Sequence, residues 1–295
     1  MKKLIITGAS GFLGWNIANS AKDIWDVYGI VFSHVIKIPG VKIIEADLRN
    51  TEELKELFKK ISPHGVIHTA AITNPNYCEL NEKETKKINV DVPLHMASLC
   101  GEYNIPFAFT STDLVFDGLH APYREEDTPS PVSIYGEQKI SAEEGIKQIY
   151  PDVAICRMPL IFGIPGPAAS SFIQPMIKDM KEGRPLNLFT DEFRTPVSGS
   201  SAAEGLLLAL EHVKGLIHLG GIERISRYDM GILLKDILGF SNVRLVPKLQ
   251  RDIIMAAQRP KDVSLDSSKA RKLGFKPYNI SDELKKIKKE LLVES

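Results

Sequence analysis

The sequence predicts a doubly wound α/β fold, a parallel sheet wrapped by helices, joined to a smaller and mostly helical C-terminal part. Three observations carry this. Apolar runs of strand length alternate with helical patterns through the N-terminal half. The first run, Leu4-Ile5-Ile6, passes directly into a glycine-rich turn, Thr7 to Gly14, and a helical pattern starts at Trp15. Pro159, Gly163, Pro165, Gly166 and Pro167 then interrupt the alternation. The chain accordingly divides into a first domain at 1–163 and a second region at 164–295, with about 196–222 returning to the first.

The glycines at 8, 11 and 14 lack a Cβ, which permits a tight turn, close backbone approach to a pyrophosphate and close packing of helix on strand. The diphosphate would lie on the positive end of the following helix. Set between an apolar strand and a helix, the turn Gly8 to Gly14, with Ser10, Phe12 and Leu13, reads as a dinucleotide site. A second strand at 25–32 ends in Ser33-His34, where an acid would pair with the ribose 2′-OH of NAD. Ser33, His34 and nearby Lys37 instead suit a 2′-phosphate, so NADP is favoured over NAD.

A third strand at 41–45 leads to Asp47-Leu48. Asp47 suits either an adenine amino group or the cap of a helix starting near Thr51. The fourth strand, 65–68, runs into Thr69-Ala70-Ala71-Ile72-Thr73, small residues that let the backbone approach a cofactor. His68 reads as an interior histidine. Asn89 falls in a helix continuing to Leu99, placed to brace a neighbouring backbone or hold a water. Ligands of such a sheet bind beyond the carboxyl ends of its strands.

An apolar strand at 105–109 precedes Ser111-Thr112-Asp113, and Tyr135-Gly136-Glu137-Gln138-Lys139 follows on a helix. Positions i and i+4 share a helix face, so the Lys139 ammonium can sit beside the Tyr135 phenol. Free tyrosine, with a pKa of about 10, is a poor acid or base at neutral pH, and a neighbouring cation would lower that value. The hydroxyls of Ser111 and Thr112 are placed to hold a substrate oxygen against the phenol.

After a strand at 153–157 come a helix at 172–181, a turn at 183–185, a helix at 202–212, a strand at 216–219, and helices near 228–238 and 281–292. Arginines 184, 194, 227 and 259 are candidates to converge on a phosphorylated substrate, because the planar guanidinium fork matches phosphate oxygens.

Composition narrows the partners. Lys+Arg and Asp+Glu number 37 each in 295 residues, which gives no electrostatic reason to expect nucleic acid or an anionic membrane. The hydrophobic share of 43% is enough for a full core, and no apolar run approaches a membrane span. Cys78, Cys100 and Cys156 are far apart, without disulfide or zinc spacing. The expectation is a soluble cytoplasmic protein.

Together these motifs resemble the extended short-chain dehydrogenase/reductase family, and within it the dTDP-4-dehydrorhamnose reductases and related sugar-nucleotide reductases. The glycine turn matches the family's cofactor loop, and Tyr135 to Lys139 its catalytic helix. Ser111-Thr112-Asp113-Leu114-Val115-Phe116-Asp117-Gly118 resembles the reductase subgroup's active-site strand end. Arg259-Pro260 with Ser264-Leu265-Asp266 resembles a C-terminal motif of the same proteins.

The resemblance implies a Rossmann domain and an NAD(P)H-dependent reductase of a nucleotide-linked 4-keto sugar. Tyr135 would donate the proton, Lys139 would lower its pKa and bind the nicotinamide ribose, and Thr112, with Ser111, would polarise the substrate oxygen. Gly11, Phe12, Leu13, Asp47, Leu48, Ala70, Ala71, Tyr135 and Lys139 carry over as cofactor positions. Thr73, Asp113, Arg194 and Arg259 are the expected substrate contacts. Family dehydratases have an Asp-Glu pair after the threonine; Asp113-Leu114 stands here and argues against elimination. Some rhamnose-pathway reductases have a glutamate just after the glycine loop that helps form a magnesium-linked dimer. Trp15 occupies that place, so no metal is expected and a homodimer stays open. The alternatives are a sugar-nucleotide epimerase using the same Tyr135 and Lys139, and a non-catalytic NADP-binding regulatory subunit.

Overall fold

The structure, a computed structural model, describes residues 1–293, so the last two positions of the 164–295 region lie outside the described residues. Seven parallel strands form the central sheet: β1 (Lys3–Thr7), β2 (Asp26–Val31), β3 (Lys42–Glu45), β4 (Gly65–His68), β5 (Phe107–Thr112), β6 (Ala154–Met158) and, after four short strands, β11 (Gly215–His218). Their spatial order is β11-β6-β5-β4-β1-β2-β3. The chain builds outward from β1 through β2 to β3, then crosses back to β4 and grows the other way. The direction therefore reverses between β1 and β4, where a crevice opens at the carboxyl ends of the strands.

Alternation along β1 shows how the layers are filled. Leu4 and Ile6 point into one core, with α1 (Phe12–Ala21) and α8 (Gly199–His212) contributing Ile17, Ala18, Ala202 and Leu206. Ile5 points into the other, against α2 (Thr51–Ile61), α5 (Val92–Glu102) and α6 (Ile134–Ile149), which supply Leu54, Phe58, Met96 and Ile146. With both faces covered, β4, β5 and β6 are buried along their whole length and mostly apolar, with polar residues gathered toward their carboxyl ends. β11 pairs with β6, and α8 packs on α1, so residues 199–218 complete this layer.

Two short helices, α3 (Pro75–Leu80) and α4 (Glu82–Lys86), lead into a π-helical turn at Lys87–Asp91 where the sequence predicted uninterrupted helix. The cause is local. Val92 N–H bonds the carbonyl of Lys87, five residues back, and Pro93 brings no N–H of its own to the ladder.

The third core joins α7 (Ile173–Lys181), α9 (Arg227–Leu238), α11 (Ile280–Lys286) and α12 (Lys288–Val293) to a parallel pair, β8 (Leu186–Phe189) and β13 (Leu245–Lys248). The region is thus less helical than expected. Two more two-residue pairs, β7 (Ile161–Phe162) with β10 (Val197–Ser198) and β9 (Phe193–Arg194) with β12 (Ile225–Ser226), are too short to leave a sequence pattern. The helix expected at 281–292 divides at Ile287, and α10 (Ser268–Lys272) is a further short addition. Among the described residues, no helix is long and apolar enough to cross a membrane.

A small fourth cluster explains why two distant motifs occur in one chain. Phe116 stacks on Tyr123 with ring centroids 4.0 Å apart, and both pack on Val263 and Leu265. Tyr123 N–H donates to the Ser264 carbonyl at 2.8 Å. The loop after β5 is thereby fastened to the segment that follows Arg259-Pro260.

Candidate active site

Strand β5 runs three residues past its predicted end, so Ser111 and Thr112 belong to the strand itself, at its carboxyl end. The next residues, Asp113–Val115, turn sharply in a 3-10 helix. Ser133 then starts α6 by accepting a hydrogen bond from Gly136 N–H at 3.4 Å, which sets Tyr135 in the first turn and Lys139 one turn later. Both side chains face a cleft of about 400 Å³ that runs from Gly11-Phe12-Leu13 past Thr112 to Arg194, Arg227 and Arg259.

The glycine turn forms one end of it. Gly8 has φ of +69°, and a Cβ there would come within 2.9 Å of the Ala70 backbone. A Cβ on Gly14 would lie 2.2 Å from the Gly8 carbonyl oxygen, so α1 can begin this close to the turn only without one. Thr7 fixes the facing loop: its hydroxyl oxygen accepts from Thr69 N–H at 3.2 Å and Ala70 N–H at 3.4 Å. The same hydroxyl meets His68 Nδ1 at 2.8 Å. With its acceptor positions used, Thr7 donates, so the His68 proton sits on Nε2. Burial holds that imidazole neutral, with a pKa of about 3, and nearby Lys139 adds to the effect. His68 is an interior residue, as its sequence context indicated.

Asn89 braces the cofactor-side loop as one sequence reading suggested. Its side chain accepts from Ile72 N–H at 2.9 Å and donates to the Ile72 carbonyl at 3.0 Å. The same amide donates to Gln138 Oε1 at 2.9 Å, and Gln138 Nε2 donates to Thr85 Oγ1 at 2.9 Å. Gln138 lies between Tyr135 and Lys139, so one buried network ties α6 to the π turn and to the loop carrying Ala71 and Thr73. Gln138's part was not legible from sequence, because a glutamine on a helix is ordinarily exposed.

The electrostatics differ from the sequence expectation. Burial pushes the Tyr135 phenol above its ordinary range, and the carboxyl of Asp113 pushes it further, while the Thr112 hydroxyl works against the rise. Burial also lowers Lys139 to about 7, with Glu143 opposing. Its Nζ lies 4.2 Å from the centre of the Phe109 ring. The phenol is thus set by burial, Asp113 and Thr112 rather than depressed by Lys139.

At the other end, Thr112 Oγ1 donates to Asp113 Oδ1 and accepts from Leu114 N–H, both at 3.2 Å. Asp113 Oδ2 lies 3.4 Å from Arg194 Nε yet accepts no hydrogen bond among the described residues, and neither does the buried Ser111 hydroxyl gain a partner. Burial raises the Asp113 carboxyl to about 6 against the pull of Arg194. Glu192, which the sequence did not single out, joins the arginines. Arg227 Nε donates to it at 2.9 Å, and Arg194 Nη2 lies 3.7 Å away. Burial works to raise Glu192, but Arg194 and Arg227 outweigh it and hold it below the usual carboxylate range.

Three guanidinium groups thus face two carboxyls at the cleft, a net positive wall suited to an anion. Arg184 is a correction: it pairs with Asp179 and Glu182 at the exposed end of α7, away from this wall. Arg194 and Arg259 already stood out in sequence beside turn-forming prolines; burial is what separates Arg184 from Arg227.

Ser33, His34, Asp47 and Leu48 follow the carboxyl ends of β2 and β3, beside the glycine turn. Ala70 lies against Gly8, and Ser10 stands within the turn itself. Asp47 does not cap α2. Asn50 does, accepting from Glu53 N–H at 3.2 Å. Among the described residues no three His, Cys, Asp or Glu side chains gather as a metal would need.

The family model described as RmlD substrate binding domain matches residues 1–293. The chain belongs to that family. It is similar to a probable low-salt glycan biosynthesis reductase of Haloferax volcanii, 28% identical over 95% of both chains. It is also similar to methionine adenosyltransferase 2 subunit beta of Rattus norvegicus, 27% identical over 93% of this chain and 83% of the relative. Among solved structures, a hypothetical dTDP-4-dehydrorhamnose reductase from Sulfolobus tokodaii superposes with a TM-score of 0.82 at 31% identity, covering 95% of this chain and 97% of that one. A dTDP-4-dehydrorhamnose reductase from Clostridium acetobutylicum gives 0.85 at 26% identity, covering 99% and 100%. These matches place the RmlD family chain among the short-chain dehydrogenase/reductase oxidoreductases that the motifs resembled.

Proposed function

We propose that the protein is an NADP(H)-dependent reductase of a nucleotide-linked 4-keto sugar. The observation that carries the reading is the convergence, in one cleft, of Thr112, Tyr135 and Lys139 between a glycine-cradled anion site and a wall of three arginines. The glycine turn fits a dinucleotide because a Cβ on Gly8 or Gly14 would fill the space the backbone needs. A solved reductase of similar fold from Bacillus anthracis is in complex with NADP.

The reduced nicotinamide would supply the hydride. Tyr135 supplies the proton to the oxygen that becomes a hydroxyl, and its raised pKa suits it to hold that proton until an alkoxide develops beside it. Thr112, still accepting from Leu114 N–H, turns its hydroxyl proton from Asp113 Oδ1 to the same oxygen when substrate binds. Lys139, near 7, takes up or releases a proton close to neutrality, and as a cation favours the phenolate left after transfer. Arg194, Arg227 and Arg259 take the substrate diphosphate, with Glu192 holding the first two in place. An adjoining cleft of about 510 Å³ shares Arg259 and extends between Asp117 and Gln250, which gives the nucleoside room beyond the phosphates.

Mixing the protein with NADPH and a nucleotide-linked 4-keto-6-deoxy sugar tests this. Absorbance of the reduced nicotinamide should fall in proportion to sugar added, and faster than with NADH. A second reading, a subunit that binds a dinucleotide without turning it over, is favoured by the similarity to methionine adenosyltransferase 2 subunit beta. Tight NADPH binding with no loss of absorbance would select it.

A further inference from the structure

We propose that Arg49, held by Asp47 and laid over the ring of Phe32, is the residue that binds the adenosine 2′-phosphate and makes the cleft prefer NADP(H). The inference rests on the reading of the glycine turn as a dinucleotide site, and concerns its far, adenosine end. Strands β1, β2 and β3 lie side by side, so the residues that follow them gather at one edge. Ala9 N–H bonds the Ile30 carbonyl and Ala46 N–H the Val31 carbonyl, which brings the glycine turn, Phe32-Ser33-His34 and Ala46 to Arg49 together.

Phe32 is large, apolar and 54% exposed at this edge. The Arg49 guanidinium carbon stands 5.3 Å from the centre of its ring, a cation–π approach. Asp47 grips one edge of the fork: Nε donates to Oδ1 at 2.8 Å and Nη2 to Oδ2 at 2.6 Å. Arg49 N–H also donates to Oδ1, at 3.0 Å. An arginine has five N–H groups, so this grip leaves both on Nη1 and one on Nη2, and Nη1 makes no hydrogen bond among the described residues. The fork is therefore fixed in direction with spare donors, the state in which less order is lost when a phosphate arrives.

The surrounding groups favour the same ligand. No acid follows β2 to pair with a free 2′-OH; Ser33 Oγ and His34 Nδ1 bond each other at 2.9 Å. Two carboxylates act on Arg49: Asp47, which grips it directly, and Glu84, which acts through space and accepts a hydrogen bond from the Tyr77 hydroxyl at 3.1 Å. The expectation that Ser33 and His34, with Lys37 nearby, receive the phosphate is thus extended to a residue beyond β3.

Equilibrium titration decides it, following nicotinamide fluorescence for NADPH and NADH and displacement of NADPH by 2′,5′-ADP or 5′-AMP. Arg49→Gln should weaken NADPH and 2′,5′-ADP by about ten- to a hundredfold, and NADH and 5′-AMP by less than about threefold. Arg49→Lys should restore part of the loss. Equal weakening of both pairs would overturn the proposal, since Arg49 would then only support the loop through Asp47. Unchanged NADPH affinity would overturn it too. Because the readout is binding, its failure is distinct from failure of the reductase reading.

Discussion

Tyr135 and Lys139 stand one helical turn apart, and burial acts on them in opposite directions. Tyr135→Phe removes the proton donor while keeping the ring, so turnover should fall by about 10²–10⁴-fold with NADPH affinity nearly unchanged. Steady-state rates and fluorescence titration check the two halves separately. Lys139 gives a stability signature with a definite sign. Its amine titrates near 10.5 in the unfolded chain and near about 7 in the fold, lowered by burial. Between those values the unfolded chain binds more protons, so stability at this position rises with pH across that window and is lowest below it. Lys139→Met should therefore raise the melting temperature most at or below pH 7, with the gain shrinking toward pH 10.5. A gain that grows with pH would contradict the assignment. At this scale the sequence showed which residues meet, because helix and strand periods place them. It did not show their charge states, which depend on water excluded by Phe109, Thr112 and residues from distant segments.

At the scale of elements, α6 is tied to its neighbours by a side-chain network as well as by its cap and apolar face. Gln138→Met keeps the volume but leaves Asn89 Nδ2 without one acceptor and Thr85 Oγ1 without its donor. The expected cost is about 1–3 kcal/mol by chemical denaturation, with kcat reduced about tenfold and KM little changed. A stability loss with intact kcat would make the network a folding device only. The strands of the central sheet were legible because burial on both faces writes continuous apolar runs; β4 was predicted to the residue. The π turn was not, since it depends on which carbonyl Val92 selects beside Pro93. Nor were β8 and β13, four residues each, one of them containing Pro247.

Across the whole molecule, the site is assembled from the crevice where strand order reverses and from arginines carried on the segments around the third core. The crevice followed from the alternation of elements. The arginine wall followed in part: Arg194 and Arg259 stood out in sequence beside turn-forming prolines, whereas only the fold, which leaves Arg184 exposed on Asp179 and brings Arg227 onto Glu192, sorts the other two. Glu192 was invisible for the same reason, its meaning arising from Arg194 and Arg227 together. The central claim is that this assembly moves a hydride onto a sugar ketone and leaves it there. It is tested most directly with NADPH deuterated at the transferred position and a nucleotide-linked 4-keto-6-deoxy sugar, followed by mass spectrometry of the sugar. One deuterium should be gained per sugar for each NADPH oxidised, and Tyr135→Phe should slow that gain by about 10²–10⁴-fold. Conversion of the sugar without deuterium, or full NADPH binding with no conversion, would contradict it.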